Sequence, residues 1–144
     1  MMPRNRAALA NIYKSDGMAA SSPQKLLILL FERLESDLDR AITAIDAGQV
    51  EPAHKALINA QDIVFELQMA LDPEAWPNAA ELYSIYEYIL GLLVDANASK
   101  TVEPIHECLT AVKPLTQAWN DAYQALRVDP QTPPTVQALT PAGR

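Results

Sequence analysis

One cysteine in 144 residues leaves no partner for an internal disulfide, which excludes a small secreted scaffold held by cross-links. Glycine is scarce as well: the four present are not clustered, so no glycine-rich loop can cradle a phosphate. No serine stands in a Gly-x-Ser-x-Gly turn, the strained elbow that presents a hydrolase nucleophile. The densest apolar run, Leu26 to Phe31, falls far short of the roughly 20 residues that cross a bilayer. The opening residues Met1-Met2-Pro3-Arg4-Asn5-Arg6 lack the apolar core of a secretory signal. Basic residues number 11 against 18 acidic ones, and a net charge of −7 argues against neutralising nucleic-acid phosphates. Alternating β-branched runs and Asn-Gly hairpins are missing, so strands are not expected. These absences describe an acidic, single-domain, helical protein, expected in the cytoplasm with no membrane insertion and no cofactor.

What is present is helix punctuation. Ser22-Pro23 supplies an N-cap and a proline at the first helical position, where its missing N–H costs nothing. That helix is expected over about 22–47, stopping at Gly48, which accepts a left-handed turn. A second helix is expected over about 51–71, ended by Asp72-Pro73 because the residue before proline avoids helical geometry. A third, over about 78–98, opens with Asn78-Ala79-Ala80-Glu81, which reads as a capping box. The fourth is expected over about 101–126, with Pro104 tolerated in its first turn and Pro114 predicted to kink it.

Apolar residues then advance by threes and fours: Leu27, Phe31, Leu34, Leu38, Ile42 and Ile45 on the first helix, Ala53, Leu57, Ala60, Ile63, Val64 and Leu67 on the second. Leu82, Ile85, Ile89, Leu92, Leu93 and Ala96 continue the pattern on the third, and Ile105, Cys108, Leu109, Val112, Leu115, Trp119 and Tyr123 on the fourth. Four such stripes joined by short loops are buried most simply in an all-α, antiparallel, up-down-up-down four-helix bundle spanning 21–127. Residues 1–20 show little periodicity and read as an irregular or short-helical cap segment. The stretch 128–144, with Pro130, Pro133, Pro134 and Pro141, reads as a disordered proline-rich tail.

Two Glu-x-x-His quartets, Glu51 to His54 and Glu103 to His106, open alternate helices and match the spacing used by carboxylate-bridged di-metal bundles. On a helical wheel, His54 falls in register with Gln61 and Gln68, and His106 with Lys113 and Asn120, so neither points inward. The glutamates have a simpler role beside the positive ends of helix dipoles. Cys108 lies on a core stripe, where a free cysteine acts as a small hydrophobe. A metal centre is therefore not expected, and catalysis is not expected.

The informative residues are the apolar ones left over. Ile58, Phe65 and Met69 lie roughly 120–160° round the wheel from Ala53, and Tyr83, Leu90 and Val94 roughly 80–120° from Leu82. Leu26, Ile28 and Leu29 make the start of the first helix apolar nearly all round. Scattered surface hydrophobes are ordinary, and the N-terminal segment could cover one stripe through Ile12 and Tyr13. Stripes at i, i+7 and i+11 also suit a groove that receives an amphipathic helix. Ile12, Tyr13, Leu29, Ile58, Phe65, Met69, Tyr83, Leu90 and Val94 are the candidate partner-binding residues.

The order of motifs over about 10–123 resembles the FliS family of flagellin export chaperones. The residues that carry the resemblance are Tyr13, Ser22-Pro23, Leu26, Leu30-Phe31, Leu67, Leu71-Asp72, Leu82-x-x-Ile85-Tyr86-x-Tyr88, Ala96-Asn97, Ile105 and Ala118-Trp119. Two places depart from the family pattern: Glu32-Arg33 stands where Asp-Gly is usual, and Trp76-Pro77-Asn78 replaces a Gly-Gly-Glu turn. The resemblance implies a cytosolic bundle that binds the C-terminal helical segment of flagellin, blocks its early polymerisation and keeps it fit for export. It also implies an N-terminal segment, with Tyr13, that caps an apolar cleft until the client arrives. The cytoplasmic domain of the flagellar export gate is a further candidate partner, as is a second copy of the chain when no client is bound. A helical adaptor for some other amphipathic helix is the alternative reading, ahead of a di-metal enzyme.

Overall fold

The computed structural model describes residues 23–128; the cap segment, with Ile12 and Tyr13, the N-cap Ser22 and the proline-rich stretch from 129 lie outside it. Four helices follow in order: α1 (Pro23–Asp46), α2 (Val50–Ala70), α3 (Ala79–Ser99) and α4 (Glu103–Val128). No strand occurs among the described residues.

Local chemistry accounts for most of the helix ends. Gly48 adopts φ +70°, the Gly48 N–H donates to Ile45 O at 3.0 Å and the Gln49 N–H to Ala44 O at 2.8 Å. This pair of bonds is a Schellman closure, and it lets α2 start one residue later. At the far end of α2, Leu71 is extended (φ −91°, ψ 127°) ahead of Asp72-Pro73. The Asn78 capping box does not form: its side chain makes no capping hydrogen bond to α3. The reason is the lead-in, since Asn78 sits at φ −101°, ψ 8° in a turn where the Ala79 N–H donates to Trp76 O. An N-cap side chain reaches the first-turn amides from an extended backbone, and here only the Asn78 carbonyl serves, accepting from the Leu82 N–H at 3.1 Å. Lys100 closes α3 in the left-handed region (φ 54°), and α4 runs unbroken through Pro114. Pro114 is exposed, so the carbonyl it frees one turn earlier faces water rather than the core.

The helices form a ring: α1 packs on α2 and α4, and α3 packs on the same two. The α1–α2 contact is the most extensive, and Ala41 and Ala44 on α1 and Ala53, Ala56 and Ala60 on α2 are all buried. Cross-links give the direction of each neighbour. His54 meets Asn97 and Gln68 donates to Glu87, so α2 and α3 are antiparallel. The Cys108 thiol lies against Ile89 O, and the Lys25 ammonium stands 5.7 Å over the Tyr123 ring, which fix α4 against α3 and α1. Phe31, Leu34, Leu38, Leu57, Val64, Ile89, Leu93, Ile105 and Val112 fill the centre. Ile28 and Tyr86 are buried beside them, outside the stripes read from the wheel.

Candidate functional site

Among the described residues no group of three His, Cys, Asp or Glu side chains could hold a metal. His54 and His106 are both exposed, and His54 Nδ1 lies 3.1 Å from the Asn97 amide. Glu51 and Glu103 occupy the first turns of α2 and α4. Cys108 is wholly buried, and burial, helped by Glu107, pushes its thiol up to about 12. A thiol in that state is no nucleophile.

Between α1 and α2 lies a cleft of about 530 Å³ lined by Ser36, Asp39, Arg40, Thr43, Lys55 and Asn59 among others. Arg40 donates to Ser36 at 2.9 Å and to Asp37, so its guanidinium is already committed.

The apolar surplus gathers on the opposite flank of α2. His54 and Gln68, which reach across to α3, lie roughly 60–100° round the wheel from Ala53, and Ile58, Phe65 and Met69 lie immediately outside that arc. On α3 the partners Asn97 and Glu87 lie roughly 60° and 140° from Leu82, with Tyr83, Leu90 and Val94 between them. Both stripes therefore border one seam, the outer side of the α2–α3 contact. The Gln68–Glu87 bond sets the register, and three residues on from it in each helix Phe65 meets the level of Leu90. Between the registers set by Gln68–Glu87 and by His54–Asn97, Val94 falls within about three residues of the level of Ile58, and Tyr83 within about three of the level of Met69. The result is two facing apolar stripes over about 16 Å of helix, level at Phe65 and Leu90, with a polar cross-link near each end.

Exposure differs along the seam. Ile58, Phe65, Tyr83 and Leu90 are half-buried, whereas Met69 is 56% and Val94 54% exposed. Gly91 lies beside the stripes, and a Cβ added there would meet no atom within 4 Å, so a partner helix has room to approach. Leu29 is half-buried on α1, which does not border this seam. Tyr88, 54% exposed, points roughly 120–160° away from the α3 stripe and belongs to another face. Sequence reasoning passed over Gly91 and the Gln68–Glu87 bond, although a glycine at i+1 from Leu90 was a visible signal.

Such a surface carries no reactive group. It offers parallel apolar rows of the kind that accept an amphipathic helix through anchors at i, i+7 and i+11.

The family model described as flagellar protein FliS matches residues 5–126. A flagellar secretion chaperone FliS from Bacillus subtilis is 26% identical over 117 residues, covering 81% of this chain and 87% of the relative. Its counterpart from Salmonella typhimurium is 28% identical over 114 residues (78% and 84%), and that from Campylobacter jejuni 29% over 114 residues (78% and 89%). With all four helices of the bundle within the matched span, apart from the last two residues of α4, the chain belongs to the FliS family of flagellar proteins.

Proposed function

We propose that this protein is a flagellar export chaperone, and that its α2–α3 seam holds the C-terminal helical segment of flagellin, keeping it from polymerising before export. The observation that carries the reading is the convergence of two surplus apolar stripes on one seam in a chain whose relatives are flagellar secretion chaperones. A segment that folds as it binds gives up about 2–5 kcal/mol to ordering. One side chain moved fully out of water returns roughly 1.5–3 kcal/mol, so several anchors are needed, and the two stripes provide them. Met69 and Val94, more than half exposed, have the most area left to bury. A client held this way has its own apolar face covered, which is the face that would otherwise seek a second flagellin.

The test is calorimetric titration of the full chain with a peptide spanning the last helical segment of a flagellin from the same organism. One-to-one binding with a negative heat-capacity change, abolished by Val94→Asp, is the expected result. Absence of binding to any flagellin of that organism would overturn the reading. Binding that survives Val94→Asp would move the client off this seam.

A further inference from the structure

The two stripes of the α2–α3 seam are apolar from end to end, but the charge around them is not even. Residues 50–100 include eight acidic side chains and two basic ones. Six of the acids, Asp62, Glu66, Asp72, Glu74, Glu81 and Glu87, fall between residues 61 and 91, the half that holds the Gln68–Glu87 cross-link and the loop joining the helices. From 56 to 99 the sequence has no Lys, Arg or His.

The two cations stand together at the opposite end. Lys55 follows His54 directly, and the Lys100 ammonium donates to Asn97 O at 2.7 Å, so the His54–Asn97 contact brings both lysines to one end of the seam. Only Glu51 and Asp95 accompany them there, which leaves that end close to neutral. On α2 the change of sign runs along one outer edge, since Lys55 and Glu66 lie within roughly 20° on the wheel and about 16 Å apart along the axis. Lys55, Glu74, Glu81 and Glu87 are exposed, and Glu66 and Lys100 are half-buried.

A helix laid in this seam has a polarity of its own, roughly +0.5 elementary charge at its N-terminus and −0.5 at its C-terminus. Its two directions bury nearly the same apolar area, so electrostatics separates them. With the N-terminal end among the acids and the C-terminal end beside Lys55 and Lys100, dipole and gradient attract; reversed, they repel. A segment that ends its own chain adds a free carboxylate to the favoured arrangement.

We propose that this charge gradient fixes the direction of the bound helix: it lies parallel to α3, with its N-terminal end at Glu66 and Glu87 and its C-terminal end at Lys55 and Lys100. The partner selected is an amphipathic helix whose charge is more positive toward its N-terminal end. The inference rests on the reading above, that the seam holds the client helix, and adds the direction in which it lies.

The experiment uses the full-length ¹⁵N-labelled protein and the flagellin peptide of the calorimetric titration, carrying a nitroxide at its first or at its last residue. The first-residue label should remove most of the amide intensity around Glu81 and Glu87 and spare Asn97 and Lys100; the last-residue label should do the converse. Reversing the gradient with Lys55→Glu, Lys100→Glu, Glu66→Lys and Glu74→Lys together should abolish or invert that pattern. The exposed pair Lys55→Glu and Glu74→Lys gives the same comparison should the fourfold variant fail to fold. An inverted pattern in the native protein, equal broadening of both ends by either label, or a direction unchanged by charge reversal would overturn this inference alone. Absence of peptide binding, or binding that broadens neither end of the seam, would overturn the reading of the seam as the client site and this inference with it.

Discussion

Asp37 lies on the inner side of α1 at 1% exposure, with one carboxylate oxygen on Arg40 and the other buried without a partner among the described residues. Burial raises its pKa above 3.8, and the opposing pulls of Arg40 and then Arg33 do not cancel it. An acid with a raised folded-state pKa binds its proton more tightly when folded, so stability falls as pH rises from the unfolded value through the folded one. Above that window Asp37 is a standing cost; below it the cost is gone. Asp37→Asn should therefore raise stability at pH 7 by about 1 kcal/mol, with wild type and variant converging as the pH falls through the acid range. Thermal unfolding followed by circular dichroism at a series of pH values checks it. A variant less stable at pH 7 would mean that the Arg40 pairing outweighs burial. Cys108 gives a second prediction from the same physics. With its pKa near 12 rather than 9.0, the thiolate fraction at pH 8 falls about a thousandfold. A disulfide reagent at that pH should leave the folded protein untouched and label it fully in urea; rapid labelling without urea would show that α4 opens locally.

Helix ends and helix interiors make opposite demands on glycine, and this chain offers one of each in open space. Gly48 closes α1 at φ +70°, whereas Gly91 sits inside α3, and neither would bring an added Cβ within 4 Å of another atom. Sterics being absent, only backbone preference remains. Gly48→Ala should destabilise by about 1 kcal/mol, and Gly91→Ala should stabilise by roughly 0.5–1 kcal/mol. Urea midpoints of the two variants check the pair, and a neutral Gly48→Ala would show that the Schellman closure has another conformation available. The same elements show what can be read from a linear chain. Gly48 and Asp72-Pro73 mark real ends because their constraint is local, carried by one or two residues. The Asn78 box misleads because its geometry depends on the turn entering from Trp76, which no short window contains. Core stripes drawn from hydrophobicity find Phe31, Leu57, Ile89 and Val112 but pass over Ala41, Ala44 and Ala56. Those alanines are buried on α1 and α2, the pair with the most extensive contact, although their side chains carry little hydrophobic signal. Tyr86 is buried for its ring despite its hydroxyl, and burial pushes that phenol above its ordinary range.

At the scale of the whole molecule, the four-helix class follows from periodicity alone, but the seam does not. A wheel places Phe65 and Leu90 off the core without saying whether they face the same neighbour. That depends on handedness and register, which appear only when Gln68 meets Glu87 and His54 meets Asn97. The division of labour that results can be tested. If the core holds the fold and the seam holds a client, the two stabilities should separate. Replacing both Met69 and Val94 with Asp should shift the urea midpoint of the free protein by no more than about 0.5 kcal/mol, as for other exposed positions. Phe31→Ala, at 0% exposure, should cost about 3–5 kcal/mol. A saturating flagellin peptide should then stabilise the wild type by binding the folded form alone, by about 2.7 kcal/mol at a hundredfold excess over Kd, and should leave the double variant unchanged. A double variant that unfolds early without peptide would make the seam part of the core. The surplus stripes would then be structural, and the client would have to bind on another face, such as the one that carries Tyr88.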